Sequence, residues 1–490
     1  MRLAELLHGF VESVDMGLVV SGLSLDSRKV QQGDLFVALP GTRAEGHHFI
    51  ADAEKAGAVA VLFDASVKAD QLVDVSVPSI AVVDLQQKLG SIAERFYGSP
   101  SKQLFVAGIT GTNGKTSCSH FLAQALNCKE TPAVVVGTLG NGFVDRLEQA
   151  THTTPDAISL HAMLRRFVDA GARSVVMEVS SHGLEQGRVN GVAFDLAMFT
   201  NLSRDHLDYH GDMDAYGRAK ARLFQMPGLR YAVINGDDPF GRHLINELPE
   251  SVEAVIYTLS DEEHDQTTVR GQIVSQGHDG LLLDVQSPWG DGRLHSALLG
   301  RFNASNLLAV LSALLLSGVG FDTALQRLSR LKTVPGRMER LGGEHGKPLV
   351  VVDYAHTPDA LEQVLMTLRE HCAAQLWCVF GCGGDRDKGK RALMGEVVTR
   401  HADCIVLTDD NPRHEDPQVI INDISAGIKS DTLIVLRDRA EAIRHAVTQA
   451  GADDVVLVAG KGHEEYQQVG GNKIAFSDRE QVQQALGVAA

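Results

Sequence analysis

The stretch VAGITGTNGKTSCSH, residues 106–120, sets glycines, a lysine and hydroxyl residues in the pattern of a phosphate-binding turn. The common nucleotide loop carries a glycine five residues before its Gly-Lys pair. Here that position is Ile109, between Gly108 and Gly111. LFVAGIT before the turn is a continuous apolar run, as in a strand buried on both faces, and GKTSCSHFLAQALN after it reads as a helix. At such a junction backbone N–H groups converge on phosphate oxygens and the helix dipole favours negative charge. Lys115 would reach the terminal phosphates and the Thr116 hydroxyl a Mg²⁺ ion. The bland alternative is a glycine-rich turn with a surface lysine; the strand-to-helix setting favours nucleotide binding.

Other polar clusters follow apolar runs. SVVMEVSSHG ends on Glu178, two serines and His182, and FTNLSRDHLDYHGD places Asp205, His206, Asp208 and His210 after another strand. Carboxylates at strand ends of nucleotide folds commonly face the ligand crevice. Each histidine taken singly reads as a structural hydrogen-bonder, and Mg²⁺ prefers oxygen ligands. Lys220, in YGRAKARLF, reads as an ordinary helix lysine. FGCGGDRDKGKR (380–391) is either an anion site or a solvated loop. In TDDNPRHEDP (408–417), Asn-Pro signals a turn and Arg413 could grip a carboxylate with both arms.

The elements that must position these groups alternate. Residues 1–88 hold short strands (GDLFVAL, AVAVLF, SIAVVD) and the helix IADAEKAGA. MRLAELLHGFVESVD at the start reads as an amphipathic helix, without the apolar core of a signal peptide. From 89 to 332, strands such as AVVVGT, SVVMEVS, LAMFTNL and YAVING alternate with helices, and 250–300 reads as an added antiparallel patch. From 333 to 490 a second strand–helix series reads as a doubly wound sheet, with TVPGRME (333–339) as a hinge. The fold expected is α/β in three domains: a small N-terminal one (1–88), a central P-loop ATPase-like one with a mostly parallel sheet (89–332) and a C-terminal Rossmann-like one (333–490).

Composition narrows the function. The chain has 490 residues, 44% of them apolar, which is enough for large cores. No run approaches the roughly 20 apolar residues that cross a bilayer. A net charge of −17 argues against a nucleic-acid-coating surface. The six cysteines show no zinc-like CxxC pair, so reduced thiols in a cytosol are expected. The expectation is a cytoplasmic monomer with no nucleic-acid or membrane partner.

Together these pieces resemble the Mur ligases, ATP-dependent amide ligases of peptidoglycan precursor synthesis. TGTNGKTS is similar to that family's own phosphate loop, and EVSSHGL, FTNLSRDHLDYHGD, GRFNASNLLA, VPGRME and VVDYAHTPDAL resemble its landmarks in order. LDSRKVQQGDLFVALPG is similar to the uridine-binding segment of the branch that adds the third stem residue, and DNPR resembles the signature of meso-diaminopimelate selection. The resemblance implies that Gly111, Thr112, Asn113, Gly114, Lys115, Thr116 and Ser117 hold the ATP phosphates, with Asn303, Arg337, Asp353 and His356 around the adenosine and its phosphates. It implies Mg²⁺ near Thr116, Glu178, His206 and a carbamylated Lys220, with Lys115, Lys220, Glu178 and His206 serving catalysis. Leu25, Ser27, Thr42, Arg43, Ala44, His152, Thr153, Thr154, Ser180, Gln186 and Arg188 would contact UDP-N-acetylmuramoyl-L-Ala-D-Glu. Arg386, Asp410, Asn411, Pro412, Arg413, Gly460 and Glu464 would hold diaminopimelate. Two positions depart from the pattern: Ser117 stands where threonine is frequent and His152 where asparagine is expected.

The implied reaction phosphorylates the D-Glu γ-carboxylate with ATP, and the diaminopimelate amine then displaces phosphate. The alternatives are the same ligation with L-lysine, a folylpolyglutamate-synthetase-like ligase, a P-loop switch working through protein partners, and a non-catalytic nucleotide-binding scaffold.

Overall fold

The computed structural model describes residues 1–12, 17–40, 45–68, 75–277, 280–344, 346–430 and 432–487. The chain divides into two compact units, each discontinuous in sequence. One comprises 1–108, 126–197 and 219–230; the other comprises 109–125, 198–218 and 231–490.

In the first unit, four parallel strands, Gly22–Ser24, Asp34–Ala38, Ala60–Asp64 and Ser79–Val82, lie in sequence order. Apolar side chains line both faces of the middle strands. Leu35, Val37 and Leu62 pack with helix Leu85–Phe96, while Phe36, Val61 and Phe63 pack with helix Ile50–Ala56. The initial amphipathic helix is shorter than its pattern suggests. It covers only Leu3–Leu7, and Gly9 then turns the chain at φ 82°. The N–H of Val20 returns to the Met1 carbonyl, and residues 13–15 of the segment lie outside the described residues.

The largest sheet has eleven strands, and two of them, Phe105–Thr110 and Leu196–Phe199, have residues in both units. In the first unit Ser174–Glu178 pairs in parallel with Ala133–Gly137, followed outward by the hairpins Gly140–Phe143 and Arg146–Glu148. In the second, Tyr231–Asn235, Glu253–Thr258 and Thr267–Gly277 are parallel. Gly280–Ser287 and Gly290–Ser296 complete the antiparallel patch anticipated for this region. The apolar helix Arg301–Leu316 covers this part and ends where Gly318 adopts φ 89°.

The C-terminal sheet runs Glu339–Gly342, Leu349–Asp353, Val455–Ala459, Leu376–Phe380, Cys404–Leu407 and Leu433–Val435, with only its first strand antiparallel. Leu349–Asp353, Leu376–Phe380 and Val455–Ala459 are buried along their whole length, which is why they read as unbroken apolar runs. Their side chains alternate between two cores. Val351, Cys378 and Leu457 face helices Pro358–Arg369 and Gly389–His401, and Val350, Val379 and Val456 face helix Arg439–Gln449. A hairpin, Tyr466–Val469 with Asn472–Ala475, follows the last of these strands.

One ion pair lies wholly inside this region. Arg439 donates to both oxygens of Asp478 at 2.7 Å and to the Ala459 carbonyl at 2.9 Å, and both side chains are 0% exposed. Removing the carboxylate leaves a buried guanidinium unneutralised. Asp478→Ala is therefore expected to lower the stability of the C-terminal region by about 3–5 kcal/mol, read as a fall in its urea midpoint.

Candidate active site

The glycine turn is built from both its ends. A Cβ at Gly111, where φ is 149°, would overlap the Thr200 hydroxyl, so the close passage of 111 over 200 requires glycine. The Thr112 N–H donates to the Asn201 carbonyl at 2.9 Å and the Asn113 N–H to Asn201 Oδ1 at 2.9 Å. Thr112 Oγ1 accepts from the Ser203 N–H at 3.0 Å. Thr200 Oγ1 donates to the Asn113 carbonyl at 2.6 Å, and Asn113 Nδ2 donates to Asp359 Oδ2 at 3.0 Å. The loop after strand Leu196–Phe199 thus serves as the mould for the phosphate turn. Lys115 Nζ lies 2.8 Å from the carbonyls of both Gly111 and Thr112, folded back over the turn. Helix Lys115–Leu126 begins there, with Thr116 and Ser117 buried in its first turn.

The adenosine and phosphate candidates approach the same turn. Arg337 Nη2 donates to Thr116 Oγ1 at 3.3 Å, and its guanidinium stacks 4.3 Å from the Tyr354 ring centre. Asp353 accepts from the N–H groups of Met338 and Ala355, each at 2.7 Å, so it shapes the loop that carries Arg337. Burial pushes the Asp353 carboxyl up despite the opposing charge of Arg337. Asn303 is tied to the Leu299 carbonyl at 2.8 Å and to Asn306 at 3.2 Å, and Asn306 Oδ1 lies 3.3 Å from Cys118 Sγ on the phosphate-loop helix.

Asp205, 5% exposed, gathers cations. Lys390 Nζ lies 3.5 Å away, His356 Nε2 3.5 Å and His206 Nε2 3.4 Å. Burial raises this carboxyl, but a hydrogen bond from His356 and the charges of Lys390, His356 and His206 outweigh it, holding the group well below the usual carboxylate range. His206 itself sits at φ 55°, an uncommon conformation for a non-glycine residue.

In the other unit, Glu178 at the end of its strand is 1% exposed. Its Oε1 accepts from the Thr138 N–H at 2.8 Å and its Oε2 from the Thr138 hydroxyl at 3.0 Å; that hydroxyl lies 3.0 Å from Thr153 Oγ1. Thr154 Oγ1 lies 3.0 Å from the Glu178 carbonyl and 3.1 Å from Ser180 Oγ, and accepts from the Ser180 N–H at 3.0 Å. Arg188 donates to the Thr154 carbonyl at 2.8 Å and to Gln186 Oε1 at 2.6 and 2.9 Å. Glu178, Thr153, Thr154, Ser180, Gln186 and Arg188 therefore form one connected network. His152 stands outside it, exposed and 3.2 Å from Thr151 Oγ1. Lys220 is 1% exposed in helix Met213–Ala221. Leu25 packs against the N-terminal core, and Ser27 opens a short 3₁₀ turn capped by Asp26. Thr42, Arg43 and Ala44 lie outside the described residues.

The amino-acid candidates converge at the carboxyl ends of the C-terminal strands. Asn411 Nδ2 donates to Glu464 Oε2 at 2.8 Å, and Arg413 Nη1 donates to the Gly384 carbonyl at 2.7 Å. Pro412 is buried in the same loop, and a Cβ on Gly460 would press on Asp410 Oδ2 at 2.7 Å. Arg386 is exposed on the neighbouring loop. Burial, then the charge of Arg386, lower the Arg413 guanidinium from its ordinary value. Sequence reasoning missed Lys461. It is 0% exposed, with Nζ 3.1 Å from Asn411 Oδ1, 3.0 Å from Glu464 Oε2 and 3.5 Å from Asp410 Oδ1. The available signal was a lysine between two glycines directly after an apolar strand.

No group of three or more His, Cys, Asp or Glu side chains placed to hold a metal occurs among the described residues. Nucleotide-bound Mg²⁺ does not need one, since it keeps several waters and takes one or two protein oxygens with substrate phosphates. Thr116, 5% exposed at the phosphate turn, and Glu178, 1% exposed in the other unit, are each an oxygen donor of that kind, so either one taken by itself fits the ion.

This combination of a doubly wound C-terminal sheet and a shortened phosphate turn matches three family models: Mur ligase family, catalytic domain, over 19–97; Mur ligase middle domain over 109–314; and Mur ligase, glutamate ligase domain, over 336–462. The chain belongs to the Mur ligase family and is an ATP-dependent, amide-forming ligase. Among its relatives, the UDP-N-acetylmuramoyl-L-alanyl-D-glutamate–2,6-diaminopimelate ligase of Pseudomonas aeruginosa is 51% identical over 481 residues, 98% of each chain. The enzyme of the same name from Coxiella burnetii is 47% identical over 486 residues, 99% of each chain. A solved structure of a ligase so named superposes with a TM-score of 0.71 at 38% identity, covering 99% of both chains.

Two histidines near Arg337, His120 buried and His463 half-buried, give the site a pH signature. Burial, then the charge of Arg337, lower His120 to about 4 and His463 to about 3. The unfolded chain takes up these protons near pH 6.5 and the folded chain does not, so stability is full above 6.5 and falls as pH drops toward 4. Each histidine is expected to account for up to about 1–2 kcal/mol of the loss between pH 6.5 and 5. A His120→Gln/His463→Gln double variant should flatten that part of the curve, measured by urea unfolding at several pH values.

Proposed function

We propose that this chain joins meso-2,6-diaminopimelate to the γ-carboxylate of D-Glu in UDP-N-acetylmuramoyl-L-Ala-D-Glu, in the cytoplasm. A carboxylate oxygen attacks the γ-phosphorus of ATP and ADP leaves. The diaminopimelate amine then attacks the acyl carbon, and the tetrahedral intermediate expels phosphate while the amine loses its proton. The first step brings two anions together, so cationic groups and N–H donors must already be aimed at the phosphates. Residues 111–117 supply the donors, Lys115 exchanges its two carbonyls for phosphate oxygens, and Arg337 adds charge beside Thr116. Thr116 at the turn and, in the other unit, Glu178 are each proposed to hold Mg²⁺, which would supply charge neutralisation at the transferring group when bound.

Supporting this assignment, Glu178 shares one network with Thr153, Thr154, Ser180, Gln186 and Arg188, so a carboxyl substrate held by the threonines and Arg188 lies beside the metal-binding carboxylate. Lys220, buried in its helix, is assigned as a lysine carbamate, an oxygen anion that would help organise Mg²⁺. Regions 1–88, 89–332 and 333–490 would take the uridine nucleotide, ATP and the amino acid, and closure about 333–339 would exclude water from the acyl phosphate.

The choice of amino acid rests on one observation: Arg413, with Arg386 near it, lies beside a cluster of buried Asp410, Asn411 and Lys461 with half-buried Glu464. The carboxylates suit an ammonium group and the guanidinium groups suit a second, distal carboxylate, which lysine lacks. The half-buried Arg413 guanidinium, left without that partner, disfavours lysine by roughly 2 kcal/mol. Phosphate release with ATP, Mg²⁺ and the UDP-dipeptide should therefore depend on diaminopimelate and be at least about 30-fold slower with L-lysine at equal concentration. Comparable rates with both would remove this pocket assignment. Lys220→Ala should lose ligation while keeping its circular dichroism and melting temperature, and a nearly fully active variant would remove the carbamate.

A further inference from the structure

Two loops carry the guanidinium groups assigned to the distal carboxylate. One, residues 381–388, follows strand Leu376–Phe380; the other, 408–416, follows its parallel neighbour Cys404–Leu407. Each loop contains a non-glycine residue in the left-handed region, Asp385 at φ 53° and Arg413 at φ 52°. Such backbone persists only where the surroundings hold it. Two like charges on adjacent loops also repel, so their spacing has to be held.

Several bonds span the gap: Arg413 Nη1 donates to the Gly384 carbonyl at 2.7 Å, the Gly384 N–H donates to the Asn411 carbonyl at 2.9 Å, and one carboxylate ties both loops to a buried cation. Glu415, two residues beyond Arg413, accepts through Oε1 from the Asp385 N–H at 2.6 Å, one residue before Arg386. The same oxygen accepts from Arg391 Nη2 at 2.9 Å, while Oε2 accepts from Arg391 Nη1 at 3.1 Å and lies 3.3 Å from Lys388 Nζ. Arg391 is 0% exposed, among the largest fully buried side chains of the protein, and its Nη2 also lies 3.4 Å from the Gly383 carbonyl. Its remaining ion-pair partner, Asp423 at 2.9 Å, lies on helix Pro417–Ser425. The hydrogen bond from Arg391 holds the Glu415 carboxyl down at about 2, so the clamp stays charged at any working pH. The outer edge is pinned too, by His414 Nδ1 at 2.9 Å from Asp385 Oδ2.

We propose that Glu415, anchored by buried Arg391, is a positioning residue that fixes the separation of the Arg386 and Arg413 guanidinium groups and so sets the preference for an amino acid with a second carboxylate. Neither Glu415 nor Arg391 needs to touch substrate for this. The inference rests on the diaminopimelate reading of the pocket and adds the device that enforces it.

The test uses the full-length enzyme with Glu415→Gln and, separately, Asp423→Asn. Glutamine keeps an oxygen for the Asp385 N–H but loses the charge-assisted pair with Arg391; asparagine at 423 removes a charge beside Arg391 while leaving both of its bonds to Glu415 and touching neither loop. For Glu415→Gln, KM for diaminopimelate should rise about tenfold or more. Its kcat and its KM values for ATP and the UDP-dipeptide should stay within about threefold. The L-lysine rate should be unchanged, so the diaminopimelate-to-lysine ratio falls by the same factor. Asp423→Asn should leave KM for diaminopimelate within about twofold. An unchanged KM in Glu415→Gln, an equal rise in both variants, or a joint shift of all three KM values with a lowered melting temperature overturns the proposal. Absence of diaminopimelate-dependent release in the unaltered enzyme overturns the pocket reading itself, and this inference with it.

Discussion

A parallel strand buried on both faces cannot place polar chemistry along its length, because every exposed amide or charge there would lose water without gaining a partner. Chemistry is forced to the carboxyl ends, where neighbouring strands release their loops side by side. In the C-terminal sheet, strands Leu349–Asp353, Leu376–Phe380, Cys404–Leu407 and Val455–Ala459 release Tyr354–His356, Arg386, Asp410–Arg413 and Lys461–Glu464 respectively. The registers Phe380↔Leu407 and Asp353↔Ala459 put those exits level. Residues up to about a hundred positions apart in sequence thereby become neighbours without any side chain having to reach.

Once loops are gathered at one edge, their charges must be matched locally. The protein does this with long cations whose heads are wholly buried: Lys461 among Asp410, Asn411 and Glu464, Arg391 between Glu415 and Asp423, and Arg439 on Asp478. Asp205 is the inverse case, one buried carboxylate serving Lys390 and two histidines. Such pairs contribute little net stability when desolvation is counted, but breaking one partner is expensive. They suit a role in fixing loop geometry better than a role in holding the domain together.

How much of this was legible follows from the same physics. The strands were readable because burial on both faces leaves an apolar run, and the phosphate turn because glycine, lysine and threonine at a strand–helix junction have few other uses. Charged residues at a strand end or in a loop, such as Glu178 and Arg413, could be singled out as candidates. What held them in place could not. Glu415 and Arg391 are separated by 24 positions, and nothing in GKRALM or RHEDP announces that the two side chains meet. Lys461 likewise looks like any glycine-flanked surface lysine until Asp410 and Glu464 are seen around it. The helix at the start of the chain failed for a local reason, since the apolar period continues past a glycine whose backbone turns away at Gly9.

The posture of Lys115 carries one more implication. Its ammonium rests on two carbonyls of its own turn, so the resting loop is electrically quiet instead of presenting a bare cation to the solvent. A stray anion that offers only one or two oxygens gains little by displacing those carbonyls. A polyphosphate that also satisfies the turn's N–H groups gains much more. The turn thus filters its visitors by the number of contacts they can replace at once, and ordinary salts are poor competitors for it.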